Sequence, residues 1–185
     1  MGRLFVISGA SGVGKSTVLR KVFSERSDLQ FSVSATTRAA RPGEKEGVHY
    51  FFVSKETFER MLAEDAFVEY SAHAANYYGT PKKQLEEKLK KGDVILDIEP
   101  NGAFQVQKVR SDAILIFIMP PSVEELSRRL NGRGDTSPEQ IEIRMKRADW
   151  EISQSSRYHH IVVNDQVDAC AQKILEIIAN AADEK

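Results

Sequence analysis

The sequence predicts an α/β fold of three layers, in which a central parallel sheet is covered by helices. Short, nearly continuous apolar runs recur at residues 4–8, 94–98, 114–119 and 161–163. Such runs are typical of strands that are buried on both faces. Segments with helical spacing of apolar residues separate them, and repeated strand–helix units favour parallel pairing because a helical crossover returns the chain to the same edge.

The elements follow one another in a regular order. Residues 4–8 end in glycines and lead into apolar positions at 17–23, which predicts a strand, a tight loop and a helix. Further on, the pattern predicts a strand at 94–98, a helix at 104–109, a strand at 114–119 that Pro120 and Pro121 stop, a helix at 123–130, a long polar helix from about Ser137, a strand at 161–163 and a final helix.

Residues 34–80 depart from this pattern. Shorter β-like pieces at 48–53 and 67–71 lie on either side of one helical segment, which predicts an inserted mixed α+β subdomain. We therefore expect a single domain over residues 1–185. Its predicted parts are a core of 1–33, 81–127 and 149–185, the insert at 34–80, and a short helical lid at 128–148.

Length and composition are typical of one globular domain. The chain has 185 residues, of which 41% are hydrophobic and 29% are charged. A net charge of −1 gives no basic field for a nucleic-acid polymer or an anionic membrane, so neither is an expected partner. The one cysteine, Cys170, lies among apolar helical positions, and we expect it to be buried in a reducing cytoplasm.

A phosphate-binding motif occupies the first predicted loop. Residues 9–16 match G-x-x-x-x-G-K-[ST] between a predicted strand and a predicted helix, the context that the motif requires. Backbone N–H groups of such a loop converge on phosphate oxygens, Lys15 can reach the β- and γ-phosphates, and the Ser16 hydroxyl can bind Mg²⁺. The expected ATP-binding residues here are Gly9, Ala10, Ser11, Gly12, Val13, Gly14, Lys15, Ser16 and Thr17. The motif alone does not distinguish hydrolysis from transfer to an acceptor.

An acceptor site is indicated in the insert. Arg38 and Arg41 are three residues apart and Tyr50 follows, and two guanidinium groups with a phenol are well suited to a phosphate monoester. An arginine pair alone would more often belong to a solvated basic loop. The phosphate-binding motif in the same chain favours the functional interpretation.

The segment from Thr36 to Phe52 fits T-[ST]-R-x-x-[KR]-x-x-[DE]-x-x-G-x-x-Y-x-[FY] without a gap, and on these residues the sequence resembles the guanylate kinase family of P-loop nucleoside monophosphate kinases. The similarity extends over essentially the whole chain, including 76–81, 96–98 and 162–165. It implies an ATP-dependent cytoplasmic enzyme, monomer or homodimer, that phosphorylates GMP, and we expect dGMP too, for guanine nucleotide synthesis and recycling. Mg²⁺ is the implied cofactor.

The resemblance also implies roles for residues of the insert. Arg38, Arg41, Tyr50 and Tyr78 would bind the GMP phosphate, and Ser34, Glu69, Thr80 and Glu99 would contact guanine. A carboxylate can accept from guanine N1–H and the 2-amino group, and hydroxyls can donate to O6. Adenine would leave these groups mismatched, at about 1–3 kcal/mol for each unpaired group. Without this context, Glu69 would be a surface carboxylate on an edge strand.

Arginines crowd the predicted lid around Gly132 and Gly134. Phosphoryl transfer depends on positioned cations and exclusion of water, which a closing lid supplies. The resemblance implies that Arg133 and Arg144 contact phosphate and are catalytic together with Lys15 and Arg38. It places Arg129 and Asn164 beside adenine. We expect Arg128 and Arg147 to be solvated helix charges.

Asp97 ends an apolar strand, where open α/β sheets bind ligands and where P-loop proteins carry a carboxylate on the Mg²⁺ side. We expect it to reach Mg²⁺ through water, with Ser16 as the other ligand. Four features depart from the family pattern, and we expect them to tune activity: Glu99 in place of aspartate, Pro100-Asn101 in place of x-Gln, Ala10 in place of proline, and the order Asp135-Thr136.

Two other functions stay open. Guanylate-kinase-like domains of scaffold proteins bind protein ligands without catalysis, but the intact Gly14-Lys15-Ser16 and the acceptor arginines argue against that interpretation. A related P-loop kinase could instead act on a phosphorylated sugar or another monophosphate. The complete 36–52 pattern, together with Glu69 and Tyr78, disfavours it.

Overall fold

The structure is a computed structural model of the chain, and it describes residues 1–73, 75–132 and 137–181. Its strands are β1 (Leu4–Gly9), β2 (Gln30–Phe31), β3 (Ala35–Thr36), β4 (Phe51–Phe52), β5 (Phe67–His73), β6 (Asn76–Pro81), β7 (Val94–Asp97), β8 (Ile114–Met119) and β9 (His160–Val163). Its helices are α1 (Lys15–Glu25), α2 (Lys55–Ala63), α3 (Lys82–Leu89), α4 (Pro100–Val109), α5 (Val123–Asn131), α6 (Pro138–Ser153) and α7 (Val167–Asn180), with a 3₁₀ turn at Ser155–Arg157.

Two compact units divide the chain. The first contains Met1–Val6 and Asp28–Ala113, and the second contains Ile7–Ser27 and Ile114–Lys185, so the boundary falls within β1. Each unit is built around its own strands and helices. The division into core, insert and lid stays a prediction.

The first unit contains part of the parallel sheet and a smaller mixed sheet. Strand β7 lies between β2 and β1, and β2 pairs with it in parallel, with Gln30 opposite Val94. The mixed sheet has the order β4-β3-β6-β5, in which β3 is parallel to β4 and antiparallel to β6. Strand β5 pairs antiparallel with β6, and the register shifts between Phe67 and Glu69.

An aromatic cluster holds helix α2 on the mixed sheet. Phe58 is fully buried, and its ring stacks on Phe67 at 4.4 Å and on Tyr77 at 5.3 Å between centroids. The helix begins where the Ser54 hydroxyl accepts the Thr57 N–H at 3.1 Å, a typical N-cap. This cluster is the separate core of the mixed sheet.

The second unit has β8 between β1 and β9, and β8 pairs in parallel with β9, with Ile116 opposite His160. Residues 115–118 of β8 are fully buried, as expected for an inner strand of a covered sheet. Helices α1 and α7 pack together, and α7 buries positions three and four apart, including Cys170 and Ile174. Strand β9 lies at the edge of the sheet and buries only Val162.

The predicted α/β fold with a central parallel sheet flanked by helices is confirmed, as are the predicted strands at β1, β7, β8 and β9. Helix α4 begins at Pro100, four residues before the predicted start, because a proline fits the first helical turn. The predicted β-like piece at 48–53 is a strand only at Phe51–Phe52. Within the described ranges, no helix is both long enough and apolar enough to cross a membrane.

We expect Phe58→Ala to lower the free energy of unfolding by about 3–5 kcal/mol, because it removes a buried ring and leaves a cavity. Val48→Ala is a matched control, since Val48 is 58% exposed in the same unit. It should change the free energy by at most about 0.5 kcal/mol. Urea unfolding followed by fluorescence measures both, and a loss below about 1 kcal/mol for Phe58→Ala would contradict the assigned packing.

Candidate functional site

The loop between β1 and α1 in the second unit has the backbone of a phosphate-binding loop. Gly12 and Gly14 have φ angles of +88° and +93°, in the left-handed region that favours glycine. At position 12 a Cβ atom would also lie 2.5 Å from the Leu130 Cδ2 atom. Both backbone conformation and space therefore require glycine there.

A carbonyl group of this loop accepts hydrogen bonds from side chains of other segments. The Val13 carbonyl accepts from Asn164 Nδ2 at 2.8 Å and from Arg129 Nη1 at 3.3 Å, and Arg129 Nη1 also donates to the Asn164 carbonyl at 3.0 Å. Glu125 fixes the guanidinium of Arg129 through an Nε–Oε1 contact of 2.8 Å. Arg129 and Asn164, which we predict to lie beside adenine, therefore support the loop itself.

The residues that follow the loop form the first turn of α1. Lys15 is half-buried, and Ser16 and Thr17 are exposed. The Thr17 and Val18 N–H groups donate to the Gly14 carbonyl at 3.0 and 3.1 Å. The helix thus begins directly at the loop and directs its N-terminal positive potential toward it.

Helix α6 contacts the loop with two charged side chains. The Ser11 N–H donates to Glu151 Oε2 at 2.6 Å, and the Arg144 Nε atom lies 3.5 Å from the Ser11 hydroxyl. Arg147 pairs with Glu151, Nε to Oε1 at 3.2 Å. Arg147 is therefore not the solvated charge that we expect from sequence, whereas the Arg128 side chain, 76% exposed, is one. Sequence reasoning missed Glu151 altogether.

Part of the predicted lid lies outside the described residues. Arg133, Gly134 and the pair Asp135-Thr136 belong to that part of the chain. Gly132 is described, and it ends α5 with an ordinary right-handed backbone.

The first unit contains a pocket of about 240 Å³. Polar residues that we predict from sequence line it, namely Ser34, Tyr50, Glu69, Tyr78, Asp97 and Glu99. Sequence reasoning missed three further lining residues, which are Ser71, Ile98 and Gly102. Ser71 could have been found, because it lies two residues after Glu69 and so points to the same face of β5.

Glu69 is the buried acid of this pocket. Its side chain is 4% exposed, and the Thr80 hydroxyl donates to Glu69 Oε1 at 2.6 Å. Burial raises the pKa of Glu69 to about 7, the nearby Glu99 charge adds to the rise, and the hydrogen bonds from Thr80 oppose it. The carboxyl is therefore divided between its two protonation states near neutral pH.

The surroundings of Glu69 explain why it is not the edge-strand surface carboxylate of the alternative interpretation. Helix α4 packs on β5, and the Gln105 amide pairs with the Tyr70 backbone, accepting its N–H at 3.1 Å and donating to its carbonyl at 2.9 Å. Gly102 lies in the first turn of α4, and a Cβ atom there would come within 2.7 Å of Glu69 Oε2. The glycine thus makes room for the carboxylate.

An arginine and two tyrosines form a cluster next to this acid. The Arg38 guanidinium lies 5.3 Å from the centroid of the Tyr50 ring, and the Tyr50 and Tyr78 rings meet edge to face at 6.1 Å. Glu44 pairs with both terminal nitrogens of Arg38 at 2.9 Å, which with the Tyr78 hydroxyl raises the pKa of Arg38. The Arg41 side chain is exposed, and its backbone N–H donates to Glu44 at 2.7 Å.

Glu44 therefore orients Arg38, a role that sequence reasoning did not assign. The contacts with Arg38 and the Arg41 N–H lower its pKa to about 2, so it stays ionised. The signal was present, because Glu44 occupies the [DE] position of the 36–52 pattern.

The chain is similar to known guanylate kinases. A family model described as guanylate kinase matches residues 1–181. Guanylate kinases of Thermus thermophilus and Novosphingobium aromaticivorans are 48% and 49% identical over 178 and 180 residues, which is 96% of this chain and 80% and 81% of theirs. The crystal structure of guanylate kinase from Anaplasma phagocytophilum matches with a TM-score of 0.78 at 37% identity, over 97% of this chain and 85% of the other.

We expect the Glu69 carboxyl to titrate near pH 7 in the unliganded protein, above its ordinary value of 4.5. A folded pKa above the unfolded one means that the folded state binds the proton between these values, so the free energy of unfolding should fall as the pH rises from about 4.5 to 7. Carboxyl ¹³C NMR measures the titration, with Glu69→Gln to assign the signal. A midpoint below about 5 would contradict the buried placement.

Proposed function

The chain belongs to the guanylate kinase family, and we propose on this premise that it transfers the γ-phosphoryl group of ATP to GMP, giving ADP and GDP. The observation that carries the proposal is the pocket of the first unit, which contains a buried acid and two tyrosines, one of which packs against Arg38. A purine with hydrogen-bond donors at one end and a phosphate at the other matches this combination of groups.

Guanine recognition is proposed for the buried end of the pocket. Ionised Glu69 would accept from N1–H and the 2-amino group, and Ser34 would donate to O6. Thr80 would donate to O6 as well once the guanine N–H groups replace its hydroxyl as donors to Glu69. Glu99 lines the same pocket and supplies a second carboxylate near the base. Since adenine presents an acceptor at N1 and a donor at position 6, it would leave these groups unpaired, which favours GMP over AMP.

The phosphate of GMP would bind to Arg38, Arg41, Tyr50 and Tyr78. Glu44 orients Arg38, which reduces the entropy that Arg38 loses when it binds a phosphate. The remaining N–H groups of a guanidinium can still donate, because it carries five. The exposed Arg41 side chain can turn toward the same phosphate without breaking its backbone contact to Glu44.

The donor phosphates of ATP would bind to residues 9–17 of the second unit. Lys15 and the N-terminus of α1 both present positive potential there. Arg144 contacts the loop at Ser11, and we propose that it stabilises the transferred phosphoryl group with Lys15, Arg38 and Arg133. For Arg129 and Asn164 we propose contacts with adenine in addition to their support of the loop.

Mg²⁺ is the cofactor that the family implies, and the chemistry of the residues fits it. Ser16 offers an exposed hydroxyl at the start of α1 and Asp97 a carboxylate at the end of β7, and both are hard oxygen ligands. We propose that Ser16 binds it directly and Asp97 through water. When bound, the ion offsets the negative charge of the phosphates.

The transfer itself needs little proton chemistry from the protein. An oxygen of the GMP phosphate forms a bond to the γ-phosphorus, and the bond from this phosphorus to the β-phosphate oxygen breaks, so that ADP leaves. The cations stabilise the charge on the equatorial oxygens, and exclusion of water by the proposed lid prevents hydrolysis.

The proposed contacts to base and phosphate do not involve the ribose 2′-hydroxyl, so we propose that dGMP is also accepted. The reaction would serve guanine nucleotide synthesis and recycling in the cytoplasm. We further propose a monomer or homodimer, and one domain with its core, its insert at 34–80 and its lid at 128–148.

A comparison of nucleoside monophosphates as phosphate acceptors tests the proposal directly. Purified protein with MgATP should form ADP with GMP and only weakly, at most about a hundredth as fast, with AMP, CMP or UMP. Glu69→Gln should reduce the preference for GMP, since one acceptor in the guanine site becomes a donor. Turnover with another monophosphate would overturn the guanine assignment, and turnover with none would favour a binding module.

Lys15→Ala should lower kcat by about 10²–10³-fold and leave the affinity for GMP nearly unchanged, because Lys15 is proposed to contact only ATP phosphates. Lys21→Ala on the same helix is the control, since Lys21 forms an exposed pair with Glu25 at 3.1 Å. Its rate should stay within about twofold of the wild type. An unchanged kcat in Lys15→Ala would refute the role.

A further inference from the structure

Glu151 is a buried acid that the proposed reaction does not use. It lies in the last turn of α6 with 3% of its surface exposed, in the same unit as the phosphate-binding loop. One carboxylate oxygen accepts the Ser11 N–H at 2.6 Å, and the other accepts from Arg147 Nε at 3.2 Å. A charge-assisted hydrogen bond of this length to a backbone N–H is among the stronger single contacts in a protein.

The position of this carboxylate is unfavourable for simple electrostatic reasons. Burial of a negative charge costs free energy, and a negative charge beside a loop that binds phosphates repels the ligand. Arg147 offsets part of this charge. The contact of Glu151 with Ser11 therefore favours nucleotide binding through the geometry that it gives the loop, and not through the charge of Glu151.

The geometry connects a helix to the loop. Arg144 precedes Glu151 by seven residues, so the two side chains lie on one face of α6, two turns apart. Both reach the same residue, since Glu151 binds the Ser11 N–H and Arg144 lies 3.5 Å from the Ser11 hydroxyl. A shift of Glu151 would move the Ser11 peptide and the helix face that carries Arg144.

We propose that Glu151 is a positioning residue for the phosphate donor: its carboxylate fixes the Ser11 peptide and, through α6, the place of Arg144 beside the loop. This rests on the proposed function, because it takes the loop as the site of a nucleoside triphosphate. Glu151 would thus assist ATP binding through the geometry of its hydrogen bonds, although its negative charge repels the phosphates.

Calorimetric titration of ATP without acceptor tests the proposal in four variants. Glu151→Ala should bind ATP at least about tenfold more weakly than wild type, although the loss of a negative charge alone would tighten binding. Glu151→Gln keeps the length and an acceptor oxygen, and should stay within about threefold of wild type. Glu151→Asp keeps the charge but is too short for Ser11, and should resemble Glu151→Ala. The control is Glu142→Ala, which removes an exposed pair with Lys146 on the same helix.

The relative ATP affinities of Glu151→Gln and Glu151→Asp decide the outcome even if Glu151→Ala does not fold. Weaker binding in Asp than in Gln supports positioning, and the reverse order, or ATP affinity equal to wild type in both, overturns it. Since the titration contains no GMP, wild-type protein that binds ATP but phosphorylates no acceptor would count against the proposed function alone.

A double-mutant cycle measures the connection to Arg144. If Glu151 acts partly by placing Arg144, Glu151→Asp should lower kcat by a smaller factor in an Arg144→Ala background than in the wild type. Factors that are equal within about twofold would overturn this part of the proposal. A general loss of stability would lower the melting temperature of both backgrounds and would leave the two factors equal.

Discussion

A loop that binds an anion through its backbone must direct several N–H groups to one point, and its other polar groups then need partners elsewhere. In this chain the partners come from three distant segments. Asn164 and Arg129 bind the Val13 carbonyl, and Glu151 binds the Ser11 N–H. The ends of β9, α5 and α6 are thus tied to a loop that follows β1, and the packing of the second unit keeps them there.

The pocket of the first unit is built differently. Its polar side chains are partly or fully buried, and they form hydrogen bonds with one another in pairs. Glu69 has Thr80, and Arg38 has Glu44 and the Tyr50 ring. Such pairing lets charged groups lie in a partly enclosed pocket at lower cost than isolated charges would have.

The sequence predicts those features that neighbouring residues encode. The glycines at 12 and 14 and the apolar run of β8 each depend on local spacing, and the structure has each in the expected place. Of the 36–52 pattern, Tyr50 lines the pocket. Strands β2 and β3 were missed because each has two residues, which is too short for an alternation of apolar and polar side chains to be recognised. Glu151 was missed because its partner lies 140 positions away, so only the folded chain brings the two together.

Gly102 couples two positions that are 33 residues apart in the chain. The space that a Cβ atom would need is taken by a Glu69 oxygen, so a side chain at 102 would have to move the carboxylate. A side chain at 102 would displace the Glu69 carboxylate from its place beside Thr80, whereas a shorter acid at 69 would leave room for it. In homologous sequences the two positions should therefore covary, and any redesign of base selectivity in this scaffold has to treat them as one unit.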